Sequence, residues 1–384
     1  MTVSHLNSLL TGRLMRMKFK EGQRLPFDVF DRKGKLLLLR GGLITDSVMV
    51  EELVQNGRAR ESDTSRVSVF EGMTRLVTRL RTIFDDVRCE SVNGILSRRV
   101  GFLAEDLIDL VDRDPDAAFA SIHLNLHHGY IVLHSMMAGV VAYRLALASG
   151  FNLKERIALI CAALTHDLGL LRIEDIVSGS ESLDLEQREI VKQHVENSIQ
   201  ILIRYGIDDP LWLRAVRDHH EFLDGSGYTG KAGDDLSVEA RIMALADSYS
   251  AMLRPRPYRE RVLASHALED LYANQLDRYD GPLLESLIWD FGFQPPGSVL
   301  RLVNREMAVA VRNTPGILDR PLVASLTDAQ GRPYGEPVFR DANDPKYGVC
   351  EVLDPAMHAR AGHFIERCWN SDLFLDYPLG LRIL

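Results

Sequence analysis

The sequence predicts a mainly α protein: a helical bundle core, with a small N-terminal α+β module before it and a small β-rich C-terminal appendage after it. Three observations predict this. Residues 121 to 290 form a succession of helix-period apolar patterns broken only by short polar interruptions. Two short strand-like runs flank a tight turn near the N-terminus, and after Phe291 the apolar residues fall into short runs separated by turn residues. At 384 residues, 46% apolar and 26% charged, the chain has the length and balance of a folded protein of two or three units.

In chain order, residues 1–65 read as the small α+β module. L-P-F-D-V-F-D-R-K-G-K-L-L-L-L from Leu25 to Leu39 places Asp31 to Lys35 as the turn of a β-hairpin. Thr45 or Asp46 then caps a short helix through Val54, ended by Asn56-Gly57. Residues 66–120 carry Leu76, Leu80, Ile83 and Val87 at helical spacing and read as a connecting helical arm. Residues 121–293 form the main helical domain. Its most apolar stretch, Ile131 to Ala148, contains His134 and Arg144, which makes it a buried helix and not a membrane span. From 294 to 384, Gln294-Pro295-Pro296-Gly297 breaks the helical pattern. V-L-R-L-V, M-A-V-A-V and P-L-V-A-S-L follow as strand candidates, with a turn at Asp328 to Arg332.

Composition excludes several classes. A formal net charge of -9 leaves no broad electrostatic grip on DNA or anionic lipid, although a local basic pocket is compatible with it. Cys89, Cys161, Cys350 and Cys368 have no paired spacing, so neither a disulfide framework nor a thiolate zinc site is indicated. No secretory leader precedes the charged stretch from Arg13 to Glu21, and a reducing cytoplasm is the expected location.

Chemistry concentrates in the helical domain: T-H-D-L-G at 165–169, K-Q-H-V at 192–195, D-H-H-E-F-L-D-G-S-G-Y at 218–228 and A-L-A-D-S-Y at 244–249. Each lies about one helix plus a connection from the next, and His134 lies upstream at a comparable distance. Imidazoles and carboxylates together suit iron, manganese or zinc, and a carboxylate can bridge two cations. Taken singly, each has an ordinary structural account. His134 fits a hydrogen-bonded core histidine, and His166-Asp167 fits a helix C-terminal cap with Gly169 as the stop signal. His219-His220 fit surface positions, and Asp247 fits a plain helical one. Recurrence at near-equal spacing in apolar surroundings, where unpaired charge is costly, favours a metal site.

These residues resemble the HD-GYP family, helical metal-dependent phosphodiesterases that hydrolyse the bacterial second messenger cyclic di-GMP. The resemblance spans most of 120–290: His134-Ser135, H-D-x-G at 166–169, His194, H-H-E-x-x-D-G-x-G-Y at 219–228, A-D-x-Y at 246–249 and R-P-Y-R at 256–259. It implies an HD-type helical core holding two divalent ions, iron or manganese. One ion would be held by His134, His166, Asp167 and Asp247, the other by bridging Asp167 with His194, His219 and His220. His166 and Asp167 would be the catalytic pair. Tyr228, on a turn shaped by Asp224, Gly225 and Gly227, would bind substrate, and Arg256 and Arg259 would clamp phosphate. The implied substrate is cyclic di-GMP or a related cyclic dinucleotide, hydrolysed by metal-activated water to the linear dinucleotide and/or GMP. A second copy of the chain or a signalling partner would engage the N-terminal module.

Three departures bear on activity. Leu170 stands where the family has the lysine of H-D-x-G-K, Thr229 stands for the proline of GYP and implies a looser loop, and Tyr130 stands where members with a third ion place glutamate. The Leu170 departure supports a second reading: a catalytically weak cyclic-dinucleotide-binding signalling or adaptor protein with a degenerate site. A third, an HD phosphohydrolase acting on another nucleotide, fits the glycine-tyrosine and R-P-Y-R features less well.

Overall fold

The computed structural model describes residues 29–30, 36–38, 58–59, 68–92, 95–125, 128–173, 184–254, 262–314, 317–354 and 366–369. The chain divides into two compact units, Met1–Ser68 and Val69–Leu384.

In the first unit the expected hairpin forms: β1 (Val29–Phe30) pairs antiparallel with β2 (Leu36–Leu38). A third strand, β3 (Arg58–Ala59), pairs on the other side of β1 and had no signal in the sequence. The helix expected from Thr45 to Val54 lies outside the described residues.

The second unit opens with α1 (Val69–Arg88), α2 (Leu96–Arg113) and α3 (Pro115–His123). Asp114 caps α3 by accepting from the Ala117 N–H at 2.9 Å, with Pro115 at the first helical position, where its missing N–H costs nothing. These helices are not a connecting arm. Leu76, Leu80 and Phe84 of α1 and Val100, Leu103 and Leu107 of α2 form apolar stripes that a free arm would leave in water. They enter one core with Met136 and Val140 of α4 (Tyr130–Ala148) and Leu164 of α5 (Leu153–Thr165). α4 is long and apolar enough to cross a membrane, but 83% of its apolar window is buried in this core.

A 3-10 turn (Leu168–Arg172) follows α5. Next come α6 (Leu185–Lys192), α7 (His194–Arg204), α8 (Pro210–Arg217), α9 (Val238–Met252), α10 (Ala264–Asn274) and α11 (Gly281–Phe291). Side-chain caps start several: Asn152 with Glu155 for α5, Asp184 with Gln187 for α6, Asp209 for α8 and Asp280 for α11. α4 packs between α5 and α9, which brings three chemistry-bearing segments together.

The C-terminal β-rich part is one antiparallel five-stranded sheet in the order β7-β6-β5-β4-β8. Its strands are β4 (Val299–Leu302), β5 (Met307–Thr314), β6 (Ile317–Thr327), β7 (Pro333–Asp341) and β8 (Val349–Leu353). The Asp328–Arg332 turn joins β6 to β7, with the Asp328 N–H donating to the Arg332 carbonyl at 2.9 Å. The sheet is docked on the helices: Arg312 of β5 forks onto Asp114, and Val309, Val311 and Leu326 enter the helical core cluster.

Candidate metal centre

Each candidate ligand is positioned by a local device. His134 lies one turn into α4, and Asp247 faces it from α9. α5 ends at Thr165, whose hydroxyl donates to the Cys161 carbonyl at 2.6 Å and accepts from the Trp212 indole at 2.8 Å. His166 and Asp167 therefore leave a fixed helix end. His194 opens α7, which lies directly on the turn after Asp167. Ser198 bridges the two segments, donating to the His166 carbonyl at 2.6 Å and accepting from the Gly169 N–H at 2.8 Å. A Cβ at Gly169 would sit 2.2 Å from the His194 carbonyl oxygen. Gly169 thus permits a close approach of two backbones, a different reason from the helix stop that the sequence suggested. His219 and His220 follow the end of α8.

The histidines share a geometry that spacing could not reveal. The Nδ1 atoms of His166, His194 and His219 lie 2.8, 2.7 and 2.6 Å from the carbonyl oxygens of Ala163, Val191 and Val216, each three residues back. A carbonyl only accepts, so each Nδ1 carries the proton and each Nε2 turns a lone pair inward. Those inward atoms crowd: His194 Nε2 is 3.2 Å from His219 Nε2, and His166 Nε2 is 3.3 Å from His134 Nε2. Facing lone pairs at that distance repel unless a proton or a cation lies between them.

Two buried carboxylates complete the set. Asp167 turns Oδ2 toward His134 and His166, at 3.6 Å from each, and Oδ1 toward His194 at 3.3 Å. Asp247 does the same in parallel: Oδ1 lies 2.9 Å from His134 and 3.5 Å from His166, while Oδ2 lies 3.6 Å from the His220 Nδ1. Two groups could each hold an ion, His134-His166-Asp167 and His194-His219-His220. An ion binding N and O at about 2.1 Å sets neighbouring donor atoms roughly 3.0 to 3.5 Å apart, which is the spacing found. The donor set fits first-row divalent ions.

Burial opposes charge on every group here. At His166 the Asp167 and Asp247 carboxylates outweigh it, and the imidazole rises to about 9. At His219 burial wins, reinforced by His220, His166 and His194, and the pKa falls well below the usual value. Burial also lowers His220, against the pull of Asp247. The surrounding imidazoles hold both carboxyls below the ordinary carboxylate range despite their burial. His219 and His220, neutral beside ionised carboxylates, already have the protonation states that metal ligation requires, whereas His166 must release its extra proton when an ion binds.

The centre floors an open cavity of about 420 Å³, within the usual range for ligand sites. Tyr228 reaches its wall, with its ring 4.6 Å from that of His220. Asp224, Gly225 and Gly227 shape the loop that carries Tyr228 and are not part of the wall. Asp224 accepts from the Ser226 N–H at 2.9 Å, Gly225 has φ +76°, and a Cβ at Gly227 would sit 2.6 Å from the Glu221 Cα. Thr229 does not loosen this loop. Its N–H donates to the buried Glu221 carboxylate at 2.8 Å, a bond that proline could not make, and the Lys231 N–H donates to the other oxygen at 3.1 Å. Tyr130 stacks flat on His134, with the rings 5.3 Å and 9° apart. Arg256 and Arg259 lie outside the described residues.

The cavity wall also holds residues with no motif to announce them: Asp270, Gln275, Arg278 and Tyr279. Only the fold brings the α10–α11 connection over a site built from α4 to α9. Leu170 is buried and lines the same wall.

A family model described as an HD domain matches residues 121–283. The chain is 27% identical over 237 residues to a cyclic di-GMP phosphodiesterase of Pseudomonas aeruginosa, covering 60% of this chain and 56% of that protein. It is 34% identical over 164 residues to the cyclic di-GMP phosphodiesterase response regulator RpfG of Xanthomonas campestris, covering 40% of each. It is 30% identical over 165 residues to the 3'3'-cGAMP-specific phosphodiesterase 2 of Vibrio cholerae, covering 41% of this chain and 31% of that protein. The chain thus spans about half or less of the length of these curated relatives. Among solved structures, an HDG"Y"P protein from Bdellovibrio bacteriovorus aligns with a TM-score of 0.48 at 15% identity, covering 70% of this chain and 95% of that one.

Proposed function

We propose that the chain, whose residues 121–283 match the HD-domain family model, is a metal-dependent phosphodiesterase hydrolysing cyclic di-GMP, or a related cyclic dinucleotide, to the linear dinucleotide and/or GMP. One observation carries this reading: two buried carboxylates, Asp167 and Asp247, each span both histidine groups on the floor of an open, nucleotide-sized cavity. The substrate class comes from the relatives, whose names specify cyclic di-GMP or 3'3'-cGAMP.

When bound, two divalent ions supply Lewis acidity, lowering the pKa of water to give hydroxide at neutral pH and neutralising charge on the attacked phosphate. His134, His166, Asp167 and Asp247 would hold one, and Asp167, His194, His219 and His220 the other. The backbone carbonyls behind His166, His194 and His219 fix the tautomers, so the ligands need no rearrangement. Tyr228, held by its anchored loop, offers an aromatic face to a nucleobase at the cavity mouth. The Leu170 side chain offers no proton, so the departing alkoxide takes its proton from water in the open cavity.

The test is full chain reconstituted anaerobically with iron or manganese and incubated with cyclic di-GMP and 3'3'-cGAMP, with products separated by chromatography. Linear dinucleotide or GMP is expected. No turnover of any cyclic dinucleotide with either metal refutes the reading. Leu170 in the wall favours a second one, a cytoplasmic signalling or adaptor protein that binds the nucleotide and hydrolyses it weakly. In that case Leu170→Lys creates activity in an inert wild type.

A further inference from the structure

Among the described residues lining the cavity, Arg278 is the one permanent cation. Two contacts hold its guanidinium there, and a third holds its backbone. It stacks on the Phe222 ring, with Cζ 3.9 Å from the centroid. Its Nη1 donates to Gln275 Oε1 at 3.1 Å, and Gln275 Nε2 in turn donates to Asp270 Oδ2 at 2.6 Å. Its own carbonyl accepts from the Leu223 N–H at 3.0 Å, tying it to the loop that carries Tyr228. Its Nε is buried with no hydrogen-bond partner among the described residues.

A clamped guanidinium that lines the cavity and forms no ion pair among the described residues calls for an anion there. Arg278 shares the wall with His220, Asp247 and Tyr228, so its acceptor would lie beside the metal centre. A planar fork matches phosphate geometry in a way a point charge does not. Leu170, on the same wall, leaves the cation of the H-D-x-G-K pattern missing.

We propose that Arg278 binds a phosphate oxygen of the substrate, supplying from the α10–α11 connection the charge that Leu170 does not. This rests on the phosphodiesterase reading for the substrate, but its test does not. Manganese-loaded full chain is titrated calorimetrically with inorganic phosphate, and kcat and KM for cyclic di-GMP are measured in parallel. Arg278→Gln is expected to weaken phosphate binding by roughly 10- to 50-fold and to raise KM comparably, with metal content and melting temperature kept. Arg278→Lys should fall between. Lys192, exposed above the Tyr228 ring at 5.4 Å, serves as the control for general electrostatics, and Lys192→Ala should change phosphate affinity less than about threefold.

Unchanged phosphate affinity in Arg278→Gln, or equal losses in Arg278→Gln and Lys192→Ala, overturns the assignment even if cyclic di-GMP is hydrolysed. If Arg278→Gln loses metal or fold, Arg278→Lys decides: full phosphate affinity in it removes the fork and overturns the assignment. If the wild type ignores cyclic di-GMP yet Arg278→Gln loses phosphate, the phosphate site stands and the proposed substrate falls.

Discussion

The two sides of the cavity differ in kind. On the floor, seven histidine and aspartate side chains converge, three imidazoles are oriented by backbone carbonyls, and two carboxylates span both groups. On the wall where phosphate would lie, Leu170 is apolar and Arg278 arrives from a distant connection, while beside it Thr229 anchors the Tyr228 loop through its N–H. Holding a metal needs a fixed polyhedron of donors, and a single lost ligand dismantles it. Contacting phosphate needs only a cation somewhere within reach, so the wall can be rebuilt from another segment. On the proposed reading, metal binding and turnover are therefore separable.

That separation can be broken most sharply on the floor. Asp167→Asn removes one of the two carboxylates that face both histidine groups. Turnover should fall by at least roughly 10³-fold and metal content from two equivalents to one or fewer, measured by product chromatography and elemental analysis. Gly169→Ala tests the backbone approach behind the floor. A methyl 2.2 Å from the His194 carbonyl must push α7 away, costing about 2–4 kcal/mol of stability in thermal unfolding and weakening metal retention.

On the wall and the loop beside it the effects should be smaller and should spare the metal. Leu170→Lys is expected to raise kcat about tenfold with metal content unchanged, measured by steady-state kinetics. Thr229→Pro deletes the N–H that meets buried Glu221. It should cost about 1–3 kcal/mol and lower kcat/KM, where a loop-tightening proline would raise both stability and activity.

A control outside the cavity lies in the C-terminal sheet. Although burial opposes ionisation there, hydrogen bonds from Arg340, Ser325 and Tyr334 hold the Glu306 carboxyl at about 2, against an ordinary 4.5. Its depressed pKa contributes stability that is complete above the ordinary value and is lost as pH falls toward about 2. Glu306→Gln should lower stability by about 1 kcal/mol at neutral pH, flatten that acid dependence in melting curves, and leave the metal centre untouched.

Much of the floor was legible because each candidate ligand other than His134 sits in a short motif whose spacing reflects one helix and its connection. His134, alone on an apolar helix, had the weakest signal and gains its meaning from Asp247 at 2.9 Å. The parallel spanning by Asp247 was not legible, since it depends on which oxygen faces which ring. The wall was largely hidden. Arg278 lies in N-Q-L-D-R-Y-D, an unremarkable stretch that only the packing of α10 and α11 carries to the cavity. The fold class was readable from periodicity. The place of α1 to α3 was not, because an apolar stripe shows that a helix is covered without naming what covers it.

The metal content of the full chain after anaerobic reconstitution with iron or manganese, measured beside Asp167→Asn, tests the two-ion centre most directly. Two equivalents in the wild type, falling to one or fewer in the variant, are predicted. A wild type that retains no stoichiometric metal, or a variant that retains both ions, would contradict it.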